Sequence, residues 1–142
     1  MRFMMLVKAS KESEAGALPS KELLAAMGQF NEEMVKAGVL IAGDGLQPSS
    51  KGTRVTFSGS RRTFTDGPFA ETKELLAGFW MIDVKSKADA LAWASRVPFA
   101  DGEVIEVRQV FEAEDFPAEV FPPEEAAREE RLRDELQRRA TR

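Results

Sequence analysis

Asp66, Glu71, Lys73 and Glu74 crowd into one short run, Asp66-Gly67-Pro68-Phe69-Ala70-Glu71-Thr72-Lys73-Glu74. Glu71 and Glu74 are three residues apart and would share one face of a helical turn. Two carboxylates held that close drive their proton affinities apart, so one can keep a proton near neutrality and act as the acid. Lys73 lies off that face, where it could pair with a substrate anion. The same run also has a purely structural reading. Gly67 admits a positive φ, Pro68 holds its own φ and Asp66 hydrogen-bonds the backbone ahead, a rigid turn that seats Phe69 in the core and leaves Glu71, Lys73 and Glu74 solvated. Arg54 and Arg108 fall inside expected strands, where an unanswered inward charge is costly. Each either points to solvent or clamps an anion. The candidate catalytic residues are thus Asp66, Glu71 and Lys73, and the candidate binding residues are Arg54, Phe69, Glu74 and Arg108.

The residue types that are absent narrow the chemistry further. The chain has no His, no Cys and no Tyr. Disulfides, thiolate nucleophiles and zinc–thiolate sites are excluded, and so is the usual general base near neutral pH. Any catalysis must use Asp, Glu, Lys, Arg, Ser, Thr or backbone groups. Ser49 and Ser50 have no base near them in sequence, which discounts a serine nucleophile. Asp44, between Gly43 and Gly45, reads as a turn residue. The acidic residues lack the spacing of a Mg²⁺ or Ca²⁺ loop, so neither metal nor cofactor is expected. Met4 and Met5 read as core.

Positioning those residues requires a folded domain, and 142 residues with 43% hydrophobic content and ten Phe suffice for one core. The net charge of −4 gives no basic footprint for nucleic acid. No apolar run approaches a membrane span, and the N-terminus turns polar too soon for a signal peptide, so a cytoplasmic protein is expected. Phe3 to Val7 is apolar throughout, as in a central strand covered on both faces. After a polar loop over 9–19, Ser20 caps a helix with Leu23, Leu24, Met27, Phe30, Met34 and Val35 inward, closed by Gly38. Val39 to Ala42 is a short strand before the turn-rich run from Gly43 to Pro48. Thr53 to Phe57 reads as a half-buried strand, with Arg61 to Thr65 as its hairpin partner. Gly78 to Val84 is a buried strand. Ser86 starts a second helix carrying Ala90, Leu91, Trp93 and Ala94, which Pro98 ends. Val104 to Phe111 is the last strand, with Ile105, Val107 and Gln109 on one face. This order is α+β, the βαββαβ plan of a ferredoxin-like fold with an inserted hairpin.

Residues 113–142 differ in kind. Pro123, Glu124 and Glu125 suit a helix start, and Glu124/Arg128, Glu129/Arg133, Asp134/Arg138 and Glu135/Arg139 are i,i+4 pairs that favour a solvated helix. Leu132 and Leu136 give it only a thin apolar stripe. A surface helix is one reading and docking on a dimer partner the other, with Phe111, Phe116, Val120 and Phe121 the better anchors.

The run from Thr65 to Glu74 resembles the signature of the DGPF branch of the YCII-related family. Ala37-Gly38-Val39-Leu40, Gly45-Leu46-Gln47-Pro48 and Glu106-Val107-Arg108-Gln109 fit the same pattern, over about residues 1–112. The resemblance implies a dimeric α+β barrel, a homodimer in which two sheets enclose a cleft. Better-studied members of the wider family look like lactone isomerases or dehalogenases that use a His–Asp pair. With no His in this chain that mechanism does not carry over. In the DGPF branch the genes often lie beside extracytoplasmic-function sigma factors, which implies an accessory or regulatory role. Two functions follow as expectations: a small-molecule binder or accessory protein working through the dimer cleft, with a regulatory protein as partner, or a His-independent acid–base enzyme acting on a small organic acid.

Overall fold

The computed structural model describes residues 1–70 and 74–141. The chain divides into two compact units, Met1–Val110 and Phe111–Arg142. The first unit runs β1 (Arg2–Lys8), α1 (Lys11–Glu14), α2 (Lys21–Lys36), β2 (Leu40–Gly45), a 3-10 turn (Ser49–Lys51), β3 (Thr53–Ser58), β4 (Arg61–Asp66), β5 (Leu76–Asp83), α3 (Lys87–Ala94) and β6 (Ile105–Gln109). Four strands form an antiparallel sheet in the order β2-β5-β1-β6, and β3 and β4 form a separate two-stranded ribbon. The expected mixed α+β class is therefore present, with both helix-bearing halves feeding one sheet.

Alternation along the strands sorts the sheet into two faces. Phe3 and Met5 on β1, with Trp80 and Ile82 on β5, turn toward α2 and α3 and are buried with Phe30, Met34, Val84 and Ala90. Phe30 and Trp80 meet edge-to-face with ring centroids 5.6 Å apart, and the indole N–H donates to Asn31 Oδ1 at 2.8 Å. A buried indole needs such an acceptor, because an unpaired N–H there would lose its water without compensation. The opposite face carries Met4, Leu6, Phe79 and Met81, all only half-buried. Phe3–Val7 is thus a central strand whose second face is not fully covered.

The helices start where their caps are. Ser20 accepts from Leu23 N–H and Ser86 from Asp89 N–H, and Gly38 takes a φ of 73° just past α2. Their inward stripes are narrower than expected. Leu24, Val35 and Leu91 are exposed, because each lies about 100° around its helix from the buried row next to it. Met34 and Ala90 hold those rows.

Three expectations, two of them about loops, are corrected. The 9–19 loop contains α1, started by a reciprocal capping box between Ser10 and Ser13. The run after Ala42 is not a turn at first, because β2 continues through Gly45. Gly43 lies opposite Trp80, where an added Cβ would sit 2.7 Å from the indole Cδ1, so the glycine lets the strands close over that ring. Asp44 accordingly belongs to a strand. Finally, β3 is not half-buried: the ribbon is exposed on both faces, including Phe57 and Phe64 at 70% each.

The second unit contains a 3-10 turn at Ala113–Asp115 and α4 (Pro123–Ala140). Phe116 stands between Phe111 and Phe121, with ring centroids at 4.9 and 5.8 Å. On α4 the Glu129–Arg133 and Glu135–Arg139 pairs form, whereas Arg128 pairs with Glu125 and Arg138 with Glu135, each three residues back. Leu132 and Leu136 are exposed. Among the described residues no helix is long and apolar enough to cross a membrane.

Candidate functional site

Two places gather the chemistry-bearing residues: the loop that leaves β4, and the open face of the sheet.

At the loop, Ser49 is the hub. Its backbone N–H donates to Glu14 Oε2 at 2.9 Å and its hydroxyl donates to the other carboxylate oxygen of Glu14. The Ser49 Oγ in turn accepts from the Phe69 N–H at 3.0 Å. The Gly67 N–H donates to the Gly52 carbonyl at 3.0 Å. Local chemistry places each part. The Ser10/Ser13 box starts α1 and so presents Glu14, while Ala9 N–H donates to the Leu75 carbonyl beside the start of β5. The 3-10 turn directs the Ser49 N–H outward at its first residue, where a carboxylate is a favourable acceptor.

Gly67 is indispensable here for a reason other than φ. A Cβ on it would fall 1.8 Å from the Ser49 carbonyl oxygen and 2.6 Å from its carbon. The expectation that Gly67 supplies a positive φ is thus replaced by close approach: two backbones touch, and only hydrogen fits between them. The Gly67–Pro68 peptide is cis.

The remaining loop candidates are spread along this latch. Asp66 ends β4, exposed, and accepts from Thr53 Oγ1 at 2.8 Å instead of capping the backbone ahead. Phe69 is half-buried and outside the core cluster, and the Arg54 guanidinium lies over its ring at 3.7 Å and covers it there. Arg54 is exposed and uses its face in a cation–π contact worth about 0.5–1 kcal/mol. Glu74 is exposed. Glu71 and Lys73 lie outside the described residues, so the proposed Glu71–Glu74 carboxylate pair does as well.

Glu14 was missed in the sequence, and nothing local could have found it. It is 35 residues from Ser49. The pairing does give Ser49 the nearby base that sequence spacing denied it. Yet the hydroxyl is already committed at both ends, donating to Glu14 and accepting from Phe69. The hydroxyl thereby ties the loop to the carboxylate at the end of α1, so the arrangement works as a latch.

On the open sheet face, Met4 and Leu6 stand beside Phe79 and Met81 of β5, and beside Arg108 and Glu106 of β6. Glu106 is shared by two cations, Lys8 Nζ at 3.3 Å and Arg108 Nε at 3.9 Å. Arg108 is largely exposed, so its guanidinium rims an apolar floor instead of pointing into the core. Asp44, opposite Phe79, marks the far edge on β2. The structure thus places Arg108 on this face, while Arg54, Asp66 and Phe69 belong to the latch.

A separate open groove of about 730 Å³ lies at one end of the sheet, lined by Gly38, Val84, Asp89, Trp93 and Arg96 among others. None of the five described candidates lines it. Arg96 there stacks on Trp93 at 4.4 Å and pairs with Glu33. Among the described residues no cluster of three acidic groups is placed to hold a metal ion.

Comparison with known proteins supplies the lineage. An uncharacterized protein of Rhizobium meliloti (strain 1021) is 37% identical over 68 residues, a match covering 48% of this chain and 55% of that relative. The chain therefore spans about half the length of the curated relative it matches. The YCII-related domain model matches residues 1–114, which include the whole four-stranded sheet, the ribbon and the latch. The chain belongs to the YCII-related family.

Proposed function

We propose that this chain is a cytoplasmic homodimer that binds a small organic anion, or an accessory protein that senses one, in a cleft between two ferredoxin-like subunits. The observation that carries this reading is the open sheet face: an apolar floor of Met4, Leu6, Phe79 and Met81 rimmed by Lys8, Glu106 and Arg108. Half-buried apolar side chains on the face away from the helices are what a second sheet would cover, in a dimeric α+β barrel. Arg108 then supplies the cation, with a planar fork suited to a carboxylate. The DGPF-type loop, with Asp66 and Glu74 as its described acidic groups, would border that cleft as a latched rim.

Size-exclusion chromatography with light scattering should give about twice the 15.7 kDa of the chain. A thermal-shift screen of small organic acids should then find one that stabilises wild type and not Arg108→Ala. Leu6→Glu should abolish this sheet-face pairing. A wild-type monomer, or ligands that stabilise Arg108→Ala equally well, would refute the reading.

A further inference from the structure

The β3–β4 ribbon carries an apolar face whose cover is not its own sheet. Strand pairing places Thr53 against Asp66, Val55 against Phe64 and Phe57 against Arg62, all on one face. The other face holds Arg54, Thr56, Ser58, Arg61, Thr63 and Thr65 and is polar. Val55, Phe57 and Phe64 are exposed at 43%, 70% and 70%. A bare two-stranded ribbon is at best marginally stable in water, and one displaying two open Phe rings is less suited still to stand alone.

The order of groups along that face is self-complementary. From the tip toward the base it reads Arg62 with Phe57, then Phe64 with Val55, then Asp66 with Thr53. The cation lies near the tip, the acid at the base and the apolar pair midway. Arg62 stacks on Phe57 at 4.4 Å and donates to the Gly59 and Arg61 carbonyls from Nη1. A guanidinium has five N–H donors, so capacity remains beyond those two bonds. Asp66 accepts from Thr53 at Oδ1, and an ionised carboxylate can take several donors.

We propose that the ribbon pairs face to face with the ribbon of a second copy of this chain. The two-fold axis runs across the strands at the level of Val55 and Phe64. Such an axis lays β4 on β4 in opposite directions. Phe64 meets Phe64, and Arg62 of each copy meets Asp66 of the other, a contact made twice by symmetry. Two Phe of the usual ~150–250 Å² each, open to the extent seen here, bury on the order of 400–700 Å² over both copies. That is below the roughly 1,200 Å² of a self-sufficient interface, so the ribbon contact is reversible and depends on concentration. It goes beyond the sheet-face pairing proposed above and uses a different surface.

The test is complementation between two charge reversals, followed by sedimentation velocity over a dilution series. Arg62→Glu sets like charges together twice in its own homo-assembly, and Asp66→Arg does the same. Each should shift the dissociation midpoint at least ~10-fold toward higher concentration. An equimolar mixture restores both attractive pairs, Glu against Arg and Asp against Arg, and should recover the wild-type midpoint. A folding defect inside one chain would not be repaired by mixing. Phe64→Arg, which leaves Asp66 and its Thr53 bond in place, should weaken association without rescue by either variant. Unshifted single variants, or a mixture that behaves as its components, overturn the inference. If Leu6→Glu abolishes association and the ribbon variants leave it intact, this inference fails and the sheet-face reading stands. The reverse outcome removes the sheet-face pairing and leaves the ribbon contact.

Discussion

Replacing Gly67 by Ala tests the latch most directly. At an unstrained position the exchange stabilises a protein by about 0.4–1 kcal/mol, since Ala restricts the unfolded chain. Here the added methyl would lie 1.8 Å from the Ser49 carbonyl oxygen, a backbone atom that no side-chain rotation can move. Either the 3-10 turn or the loop must withdraw. The Gly67–Gly52 and Phe69–Ser49 hydrogen bonds then break. At about 0.5–1.5 kcal/mol for each of the two, the loss centres near 2 kcal/mol. For a chain of this size that corresponds to a fall in Tm of roughly 4–8 °C. Thermal and urea unfolding of Gly67→Ala, Ser49→Ala and the double variant measure it. Both singles remove the same bond to Phe69, so the double variant should cost clearly less than their sum. A Gly67→Ala protein as stable as wild type or more so would refute the steric argument. Strict additivity would refute the shared latch.

Two further substitutions probe the sheet. Gly43→Ala places a Cβ 2.7 Å from Trp80 Cδ1, displacing the indole and straining its bond to Asn31; we expect a loss of about 1–3 kcal/mol with a changed near-ultraviolet Trp signal. Unchanged spectra and stability would count against the close packing of β2 on Trp80. Ile82→Ala removes a fully buried β5 side chain from the core cluster and should cost about 2–5 kcal/mol by urea unfolding, and a cost under 1 kcal/mol would contradict its place in the core.

Much of the architecture was legible in the residues. Ser20, Ser86 and Gly38 mark helix boundaries because capping is local chemistry. The alternation Ile105, Val107, Gln109 against Glu106, Arg108 separates the two faces of β6, because strand periodicity is a property of the backbone. The thin stripe of α4 and its ion pairs follow equally from spacing, although Arg138 and Arg128 choose acids three residues away. What spacing misjudged was coverage. Leu24, Val35 and Leu91 are as apolar as their buried neighbours, and only the direction of the sheet decides which of them is left outside.

The candidate site depended far more on the third dimension. The run from Asp66 to Glu74 announced a constrained turn, and its Gly and Pro are consistent with that. The constraint itself comes from Ser49 and Glu14, brought together across 35 residues. Residue types and spacing alone mark the main strands, the two long helices of the first unit and their caps, and the absence of His, Cys and Tyr puts some chemistry out of reach. It takes the folded arrangement to show that an approaching carbonyl requires Gly67, that Arg54 covers Phe69, and that Phe57 and Phe64 face outward. The physical reason is range: capping and periodicity act within a turn or two of chain, whereas contact and exposure depend on which distant segment arrives alongside.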